Sequence, residues 1–241
     1  MLTRAKRNHI SNRLYHIQQR GHNGGEIFYD DRDRLNYMRC FFLNSSKYKL
    51  RVHGFQLLNT EVHWLVSPSN ASSISLVMQA IGREYVRSFN KRWSRFGTLW
   101  DGRYKTYWLE DIVTISLATQ KFIDELSKNN GLTSESIDWR WSSCGHYCGI
   151  LTSSPHGSNL REFTSQLLPI QAYWELGNTP FDRQLKYREF LNVIQPEGEK
   201  ESIRLALSRG RPRLSEKTLL SLPPTERSEY IALPRGRPRV K

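Results

Sequence analysis

The stretch RVHGFQLLNTEVHWLVSP, residues 51–68, decides the fold of this 241-residue chain. It holds two short runs rich in apolar, β-branched and aromatic residues, joined by Asn59 and Thr60. Such runs predict strands, and a connection this short predicts that they pair antiparallel as a hairpin. Glu61 and His63 alternate along the second run, so their side chains point to the same face of the sheet. A carboxylate and an imidazole on one face can be half of a metal site or an ordinary structural pair.

The segments around the hairpin complete an α+β pattern. We predict a strand over about 13–21, a helix from Asp30 or Asp31 to about Lys47, a helix over about 72–92, a strand within 97–109 and a helix over about 110–129. The order β-α-β-β-α-β-α is that of a ferredoxin-like core with an antiparallel sheet and helices on one face. We therefore expect this core over residues 1–130, an aromatic loop with a small helical C-terminal extension over 131–222, and a flexible basic tail over 223–241.

The charge balance indicates a polyanionic partner. Lys and Arg number 36 against 23 Asp and Glu, a formal net charge of +13, and such an excess favours nucleic acid through counterion release. Arg83, Arg87 and Lys91 recur every four residues on one predicted helix. Like charges placed in this way repel one another, so the stripe fits a phosphate backbone, although a solvated helix face is the alternative.

The composition also bears on location. No apolar run approaches the roughly 20 residues of a membrane span, and the basic N-terminus lacks the apolar segment of a secretory signal. We expect no membrane partner and a cytoplasmic, nucleoid-associated protein. Three cysteines fit a reducing compartment. Cys144, His146 and Cys148 in CGHYC have some of the ligand types of zinc, but buried packing is the favoured interpretation because the usual second ligand pair is missing.

The sequence RGRPR occurs twice, at 209–213 and 235–239. A narrow Gly-Arg-Pro core with flanking arginines resembles the AT-hook, which predicts contact with the minor groove of A·T-rich duplex DNA. The candidate contacts are Arg209, Arg211, Arg213, Arg235, Arg237 and Arg239. The second copy is the stronger candidate, because the first adjoins a helical pattern and can be a basic loop.

Several segments together resemble a known family over nearly the whole chain. They are RLYHIQQRGHN, LVMQAIGREYVRSFNKRW, FGTLWDGRYKTYWLED, WRWSS, YWELGNTPFDRQLKYREFL and the terminal RGRPR. The chain resembles a REP-associated tyrosine transposase, a branch of the bacterial single-tyrosine HUH transposases. The resemblance implies a ferredoxin-like core that binds single-stranded DNA hairpins. It also implies a divalent metal and a tyrosine nucleophile that cuts one strand and forms a 5′-phosphotyrosine link.

The sequence departs from that family at each catalytic position. The first histidine of the family's His-x-His motif falls on Glu61, and His63 keeps the second. The nucleophilic tyrosine falls on Phe122, whose ring has no oxygen, and the third metal ligand falls on Leu126. Glu61 and His63 could still hold Mg²⁺ or Mn²⁺, but we expect no required cofactor and no confident catalytic residue. Rescue would need oxygen ligands from Asp124 or Glu125 and a phenol from Tyr104 or Tyr107.

The features that the family uses to bind DNA are retained. The expected contacts are Arg20, His22 and Asn23 in the turn after the first strand, the stripe of Arg83, Arg87 and Lys91, and Arg103 with Lys105. Trp64, Trp100 and Tyr104 are candidates for stacking on bases, with burial in the core as the alternative. The leading hypothesis is a degenerate transposase that binds single-stranded or hairpin DNA, alone, as a homodimer or beside an active transposase. The rivals are an active transposase or single-strand nuclease with an altered metal site, and a protein that binds structured RNA.

Overall fold

The computed structural model describes residues 9–150, 160–224 and 227. Its sheet has four antiparallel strands, β1 (Leu14–Arg20), β2 (Leu50–Leu57), β3 (Glu61–Pro68) and β4 (Lys105–Leu109). They lie in the order β2-β3-β1-β4, with α1 (Asp31–Lys47) between β1 and β2 and α2 (Ser73–Arg92) between β3 and β4. This is the predicted ferredoxin-like α+β arrangement, and Asn59 with Thr60 forms the turn between β2 and β3.

The first two helices cover one face of the sheet. Asp30 caps α1, because its side chain accepts a hydrogen bond from the backbone N–H of Asp33 at 3.0 Å. From β3, Trp64 stacks on Phe41 of α1 with ring centroids 3.4 Å apart, and its Nε1 donates to Tyr37 Oη at 3.3 Å. Since side chains alternate along a strand, Glu61 and His63 point to the opposite face.

That opposite face is covered as well, which differs from the expectation of helices on one side only. After β4 the chain forms α3 (Ala118–Asp124), α4 (Leu126–Asn129), α5 (Cys144–Tyr147), α6 (Arg161–Thr164), α7 (Gln171–Trp174), α8 (Pro180–Asn192), α9 (Glu197–Arg209) and α10 (Glu216–Ser221). The physical reason lies in the strands, because β2 and β3 are buried along almost their whole length and need apolar partners on both faces.

The predicted single helix over 110–129 is interrupted. It begins as a π-helical turn at Val113–Leu117, and α3 then ends at Asp124, with Glu125 between α3 and α4. The two acidic residues expected in its first turn instead bind distant segments. Glu110 accepts from the Ser215 backbone N–H at 2.7 Å, and Asp111 accepts from that of Gln171 at 2.9 Å. Tertiary hydrogen bonds thus remove these residues from the helix.

The C-terminal extension packs directly on the core. Its backbone hydrogen-bonds to β2, from Leu57 N–H to the Trp141 carbonyl at 2.9 Å, and to β4, from Arg213 N–H to the Trp108 carbonyl at 3.0 Å. Buried residues on both sides of position 130 belong to one hydrophobic core. None of the described helices is long and apolar enough to cross a lipid bilayer.

Candidate nucleic-acid interface

A cleft of about 390 Å³ opens where β1 and β3 meet α3, α4 and α9. Glu61 and His63 from β3 line it, and so do Phe122 from α3 and Leu126 from α4. The structure therefore brings together the four positions that correspond to the catalytic residues of the resembled family. Phe122 contributes a phenyl ring to this cleft, and Leu126 contributes an alkyl side chain.

Glu61 is held as a carboxylate by its neighbours. Arg20 Nε lies 3.1 Å from Glu61 Oε2, and Gln18 Nε2 donates to the same oxygen at 2.9 Å. Glu61 Oε1 lies 3.3 Å from His63 Nε2. Burial would raise the pKa of Glu61, but the hydrogen bond and charge of His63, the charge of Arg20 and the Gln18 hydrogen bond lower the pKa to about 2.

A chain of buried polar side chains continues inward from His63. His63 Nδ1 lies 2.9 Å from His16 Nε2, and His16 Nδ1 lies 3.2 Å from Tyr107 Oη. Burial first, then the charges of His63 and Arg213, lowers the pKa of His16 well below its usual range, so this imidazole is neutral. Burial raises the pKa of Tyr107 to about 12 against the opposing charge of Arg213. Tyr107 is therefore a protonated phenol.

The positions of the ring nitrogens admit an assignment of protons in which both imidazoles are neutral. Tyr107 Oη donates to His16 Nδ1, His16 Nε2 donates to His63 Nδ1, and His63 Nε2–H faces Glu61. His16 was missed by the sequence interpretation. The sequence pattern that could have revealed it is the alternation of His16, Gln18 and Arg20 along β1. This alternation places all three on the face that carries Glu61.

The residues in the cleft do not fit the divalent metal that the family resemblance implies. His63 Nε2 is directed at the Glu61 carboxylate and lies 3.3 Å from Oε1. Leu126 stands at the position of the third ligand, and Arg20 already neutralises the Glu61 carboxylate. Across the described part of the chain, no group of three His, Cys, Asp or Glu side chains could hold a metal ion.

The alternative catalytic groups are buried away from the cleft. Asp124 accepts from Tyr187 Oη at 2.6 Å, and burial raises its pKa to about 7, against the hydrogen bonds of Tyr187 and Ser142. Glu125 lies 3.6 Å from the ammonium group of Lys121 and lines a different depression.

Cations from several elements converge on the cleft instead. Arg20 and Lys105 line it, and both also line a smaller depression beside Arg103. Lys105 and Arg209 share a third depression along β4. All four side chains are exposed, so phosphate groups could reach them from solvent. The arrangement is suited to an anionic chain that lies along the open end of the sheet.

The turn after β1 lies next to this surface. His22 N–H donates to the Leu99 carbonyl at 2.9 Å, and Asn23 adopts a left-handed conformation with φ 52°. Gly21 approaches the Gly25 carbonyl so closely that a Cβ atom would lie 2.0 Å from this oxygen. The turn thus has a fixed shape that holds His22 and Asn23 at the end of β1.

The helical stripe does not join the cleft. Arg83, Arg87 and Lys91 are exposed on α2, and α2 packs on the face of the sheet opposite to Glu61 and His63. The aromatic candidates for stacking lie in the core, since Trp64, Trp100 and Tyr104 are all buried. Core packing, the alternative interpretation, accounts for them.

The first RGRPR copy has a structural role at its centre and its end. Gly210 takes a left-handed conformation with φ 65° as the C-cap of α9. Arg213 is mostly buried, donates to Thr119 Oγ1 at 2.9 Å and forms an ion pair with Glu199. Its guanidinium group is therefore committed inside the protein, whereas Arg209 is exposed. The second copy, at 235–239, lies outside the described residues.

The three side chains of the CGHYC segment that could bind zinc do not lie together. Cys144 and Cys148 are buried, whereas His146 is exposed at the surface of α5. The cysteines and the histidine point in different directions, which agrees with packing.

No model of a known protein family matches the chain, and no curated protein is significantly similar to it. Among solved structures, the chain is similar to a REP-associated tyrosine transposase bound to a REP hairpin, at 10% sequence identity and a TM-score of 0.48. That similarity covers 66% of this chain and 98% of the other. A Deinococcus radiodurans R1 protein described as a "putative transposase" is similar at 15% identity and a TM-score of 0.34, over 43% of this chain and 84% of the other.

Proposed function

We propose that this protein binds single-stranded or hairpin DNA along the cleft and does not cut it. In this proposal it is a catalytically degenerate relative of the REP-associated tyrosine transposases. The observation that carries the proposal is the position of Phe122. It lines the cleft with Glu61 and His63, while Lys105 offers exposed positive charge at the same place and the exposed Arg20 is paired with Glu61. The geometry suits phosphate binding and leaves out the nucleophile.

The alternative function, an active transposase or single-strand nuclease, would need a phenol other than position 122 as its nucleophile. The two candidate tyrosines are poorly placed for this role. Tyr107 is buried and bonded to His16, and Tyr104 is buried with its Oη 3.2 Å from Ser75 Oγ. Neither can reach a scissile phosphate without opening the core. Leu126, which the resemblance matches with the third metal ligand, brings only an alkyl side chain to the cleft.

RNA binding through an open ferredoxin-like sheet is also poorly supported. That mode of binding needs aromatic residues exposed on the strands. Here Trp64 and Tyr107 are buried, and helices cover both faces of the sheet. An RNA competitor of the same hairpin sequence tests this rival directly, because a preference for RNA over DNA would overturn the proposed ligand.

The proposal is tested with a labelled hairpin that carries unpaired flanks, taken from repeats beside the gene. A native gel reports binding, and a denaturing gel with Mg²⁺ or Mn²⁺ reports a covalent protein-DNA adduct. The matched variant carries Glu61→His, Phe122→Tyr and Leu126→Asn together. We expect the natural protein to bind without forming an adduct. An adduct with the natural protein would refute the loss of the nuclease activity, and failure to bind any hairpin or single strand would refute DNA binding.

We also propose that the second RGRPR copy contacts A·T-rich duplex DNA. The support is its sequence, since Arg235, Arg237 and Arg239 flank a Gly-Pro core. Removing the residues after Leu233 should weaken binding to an A·T-rich duplex and leave hairpin binding nearly unchanged. Equal losses on both ligands would contradict separate binding modules. In this role the protein would act at the nucleoid as a repeat-binding regulator or as a partner of an active transposase.

A further inference from the structure

The loop between α2 and β4 presents an unusual side chain. Phe96 is 95% exposed, the largest exposed fraction among the large hydrophobic residues that the structure describes. Scattered exposed apolar residues are common and need no explanation by themselves. The surroundings of Phe96 are what distinguish it.

Hydrogen bonds hold this loop in shape. Arg95 N–H donates to the Asn90 carbonyl at 2.8 Å, and Asn90 Nδ2 donates back to the Gly97 carbonyl at 2.9 Å. Trp93 Nε1 donates to Asp33 Oδ2 at 3.0 Å and fixes the start of the loop to α1. Gly97, with φ 85°, permits the sharp return of the chain. The ring of Phe96 is therefore held in water by an ordered loop.

Aromatic and basic side chains alternate around Phe96. Tyr29 and Trp93, which are 45% and 37% exposed, lie with ring centroids 5.0 Å apart. Lys91, next to the last residue of α2, is exposed, whereas Arg95 in the loop is half-buried and its guanidinium lies 5.4 Å from the centre of the Phe89 ring. The nearby carboxylates are those of Asp30 and Asp33, and Arg92 pairs with both of them. Lys91 therefore supplies the exposed positive charge of the patch.

The loop leads directly to the mouth of the cleft. Leu99, at its end, accepts the hydrogen bond from His22 in the turn after β1. Asp101 N–H then donates to the Arg20 carbonyl at 2.9 Å. A nucleic acid that lies on Arg20 and Arg103 could thus continue past the turn to Phe96.

We propose that Phe96 stacks on an unpaired base of the bound nucleic acid, with Lys91 next to its phosphates. This inference rests on the proposed function and adds a base-contacting residue to it. An exposed ring at the edge of a basic surface is the feature with which proteins hold single strands without reading their sequence. Burial of the ring against a base would also remove its apolar surface from water.

The test uses the full chain and the hairpin described above, with 2-aminopurine in place of successive unpaired bases. Stacking on an aromatic ring quenches the fluorescence of this base. We expect Phe96→Ala to lose the quenching at one position and to weaken binding about 5- to 100-fold, whereas Phe96→Trp should restore both. The matched control is Phe181→Ala at the start of α8, since Phe181 is 80% exposed but stands beside Asp182.

The outcomes separate the two proposals. If the natural protein binds the hairpin but Phe96→Ala behaves like Phe181→Ala, the stacking role is wrong and DNA binding stands. If a fully paired hairpin without flanks loses as much affinity on Phe96→Ala as the flanked one, Phe96 does not contact an unpaired base. If the natural protein binds neither ligand, both proposals fall.

Discussion

His16 Nε2 lies 2.9 Å from His63 Nδ1, and this contact joins β1 to β3 beneath the cleft. It fixes the ring of His63, whose Nε2 lies 3.3 Å from Glu61 Oε1. The His16 contact thus makes His63 part of a buried chain of polar side chains that runs from Glu61 to Tyr107.

Removing the phenol at the inner end of this chain should destabilise the protein. Tyr107→Phe keeps the ring but leaves His16 Nδ1 without its partner at 3.2 Å. A buried polar group left unpaired costs about 1–3 kcal/mol, so the midpoint of urea denaturation should fall accordingly. Tyr48→Phe, at the half-buried C-cap of α1, is the control and should change little. Equal midpoints for natural protein and Tyr107→Phe would rule out the proposed proton arrangement.

Asp124 should make the stability depend on pH. Burial raises its pKa from an ordinary 3.8 to about 7, although the hydrogen bonds from Tyr187 and Ser142 oppose this change. The folded state therefore holds a proton that the unfolded chain releases, and stability falls as the pH rises from about 4 to 7. Asp124→Asn carries no charge and should escape this loss, with a relative gain of about 2–4 kcal/mol at pH 8. Thermal unfolding of both proteins between pH 4 and 8 checks this; a constant difference would contradict it.

The two ends of the first RGRPR copy should respond differently to substitution. Arg213→Gln removes the ion pair with Glu199 and the hydrogen bond to Thr119, so the free energy of unfolding should drop by about 1–3 kcal/mol. Arg209→Gln acts on an exposed side chain and should leave stability unchanged while it weakens DNA binding. Denaturation and hairpin titration of both variants decide the matter. Unchanged stability of Arg213→Gln would show that its internal contacts contribute little.

The cleft cations should appear in the salt dependence of binding. Each phosphate neutralised on a single strand contributes about −0.7 to the slope of log affinity against log salt. Lys105→Gln and Arg103→Gln should each make the slope shallower by about that amount. Lys186→Gln, an exposed lysine on α8 far along the chain from the cleft, is the control. Slopes that do not differ between the cleft variants and Lys186→Gln would exclude these side chains as phosphate contacts.

The element order followed from local patterns, because the hairpin, the capped α1 and the apolar stripe of α2 are each encoded by neighbouring residues. Phe122 and Leu126 line one cleft with Glu61, and their match with the catalytic positions of the family stays a prediction. The contact between His63 and His16 could not be predicted from local patterns, because the two residues meet only through the pairing of β1 with β3. Arg213 was likewise predicted to contact DNA because it belongs to the first RGRPR copy. Its buried environment depends on Glu199 and Thr119, which no nearby spacing reveals.

The bonds from the extension to β2 and β4 have a consequence for assembly. In the order β2-β3-β1-β4 these two are the outer strands, whose free N–H and C=O groups would otherwise offer a template for another sheet. Residues 141–143 pair with one and Arg213 with the other. A fragment cut at residue 130 would keep the ferredoxin-like elements but expose both edges. The extension therefore covers both edges of the sheet, and we expect a fragment cut at residue 130 to aggregate by pairing of its outer strands.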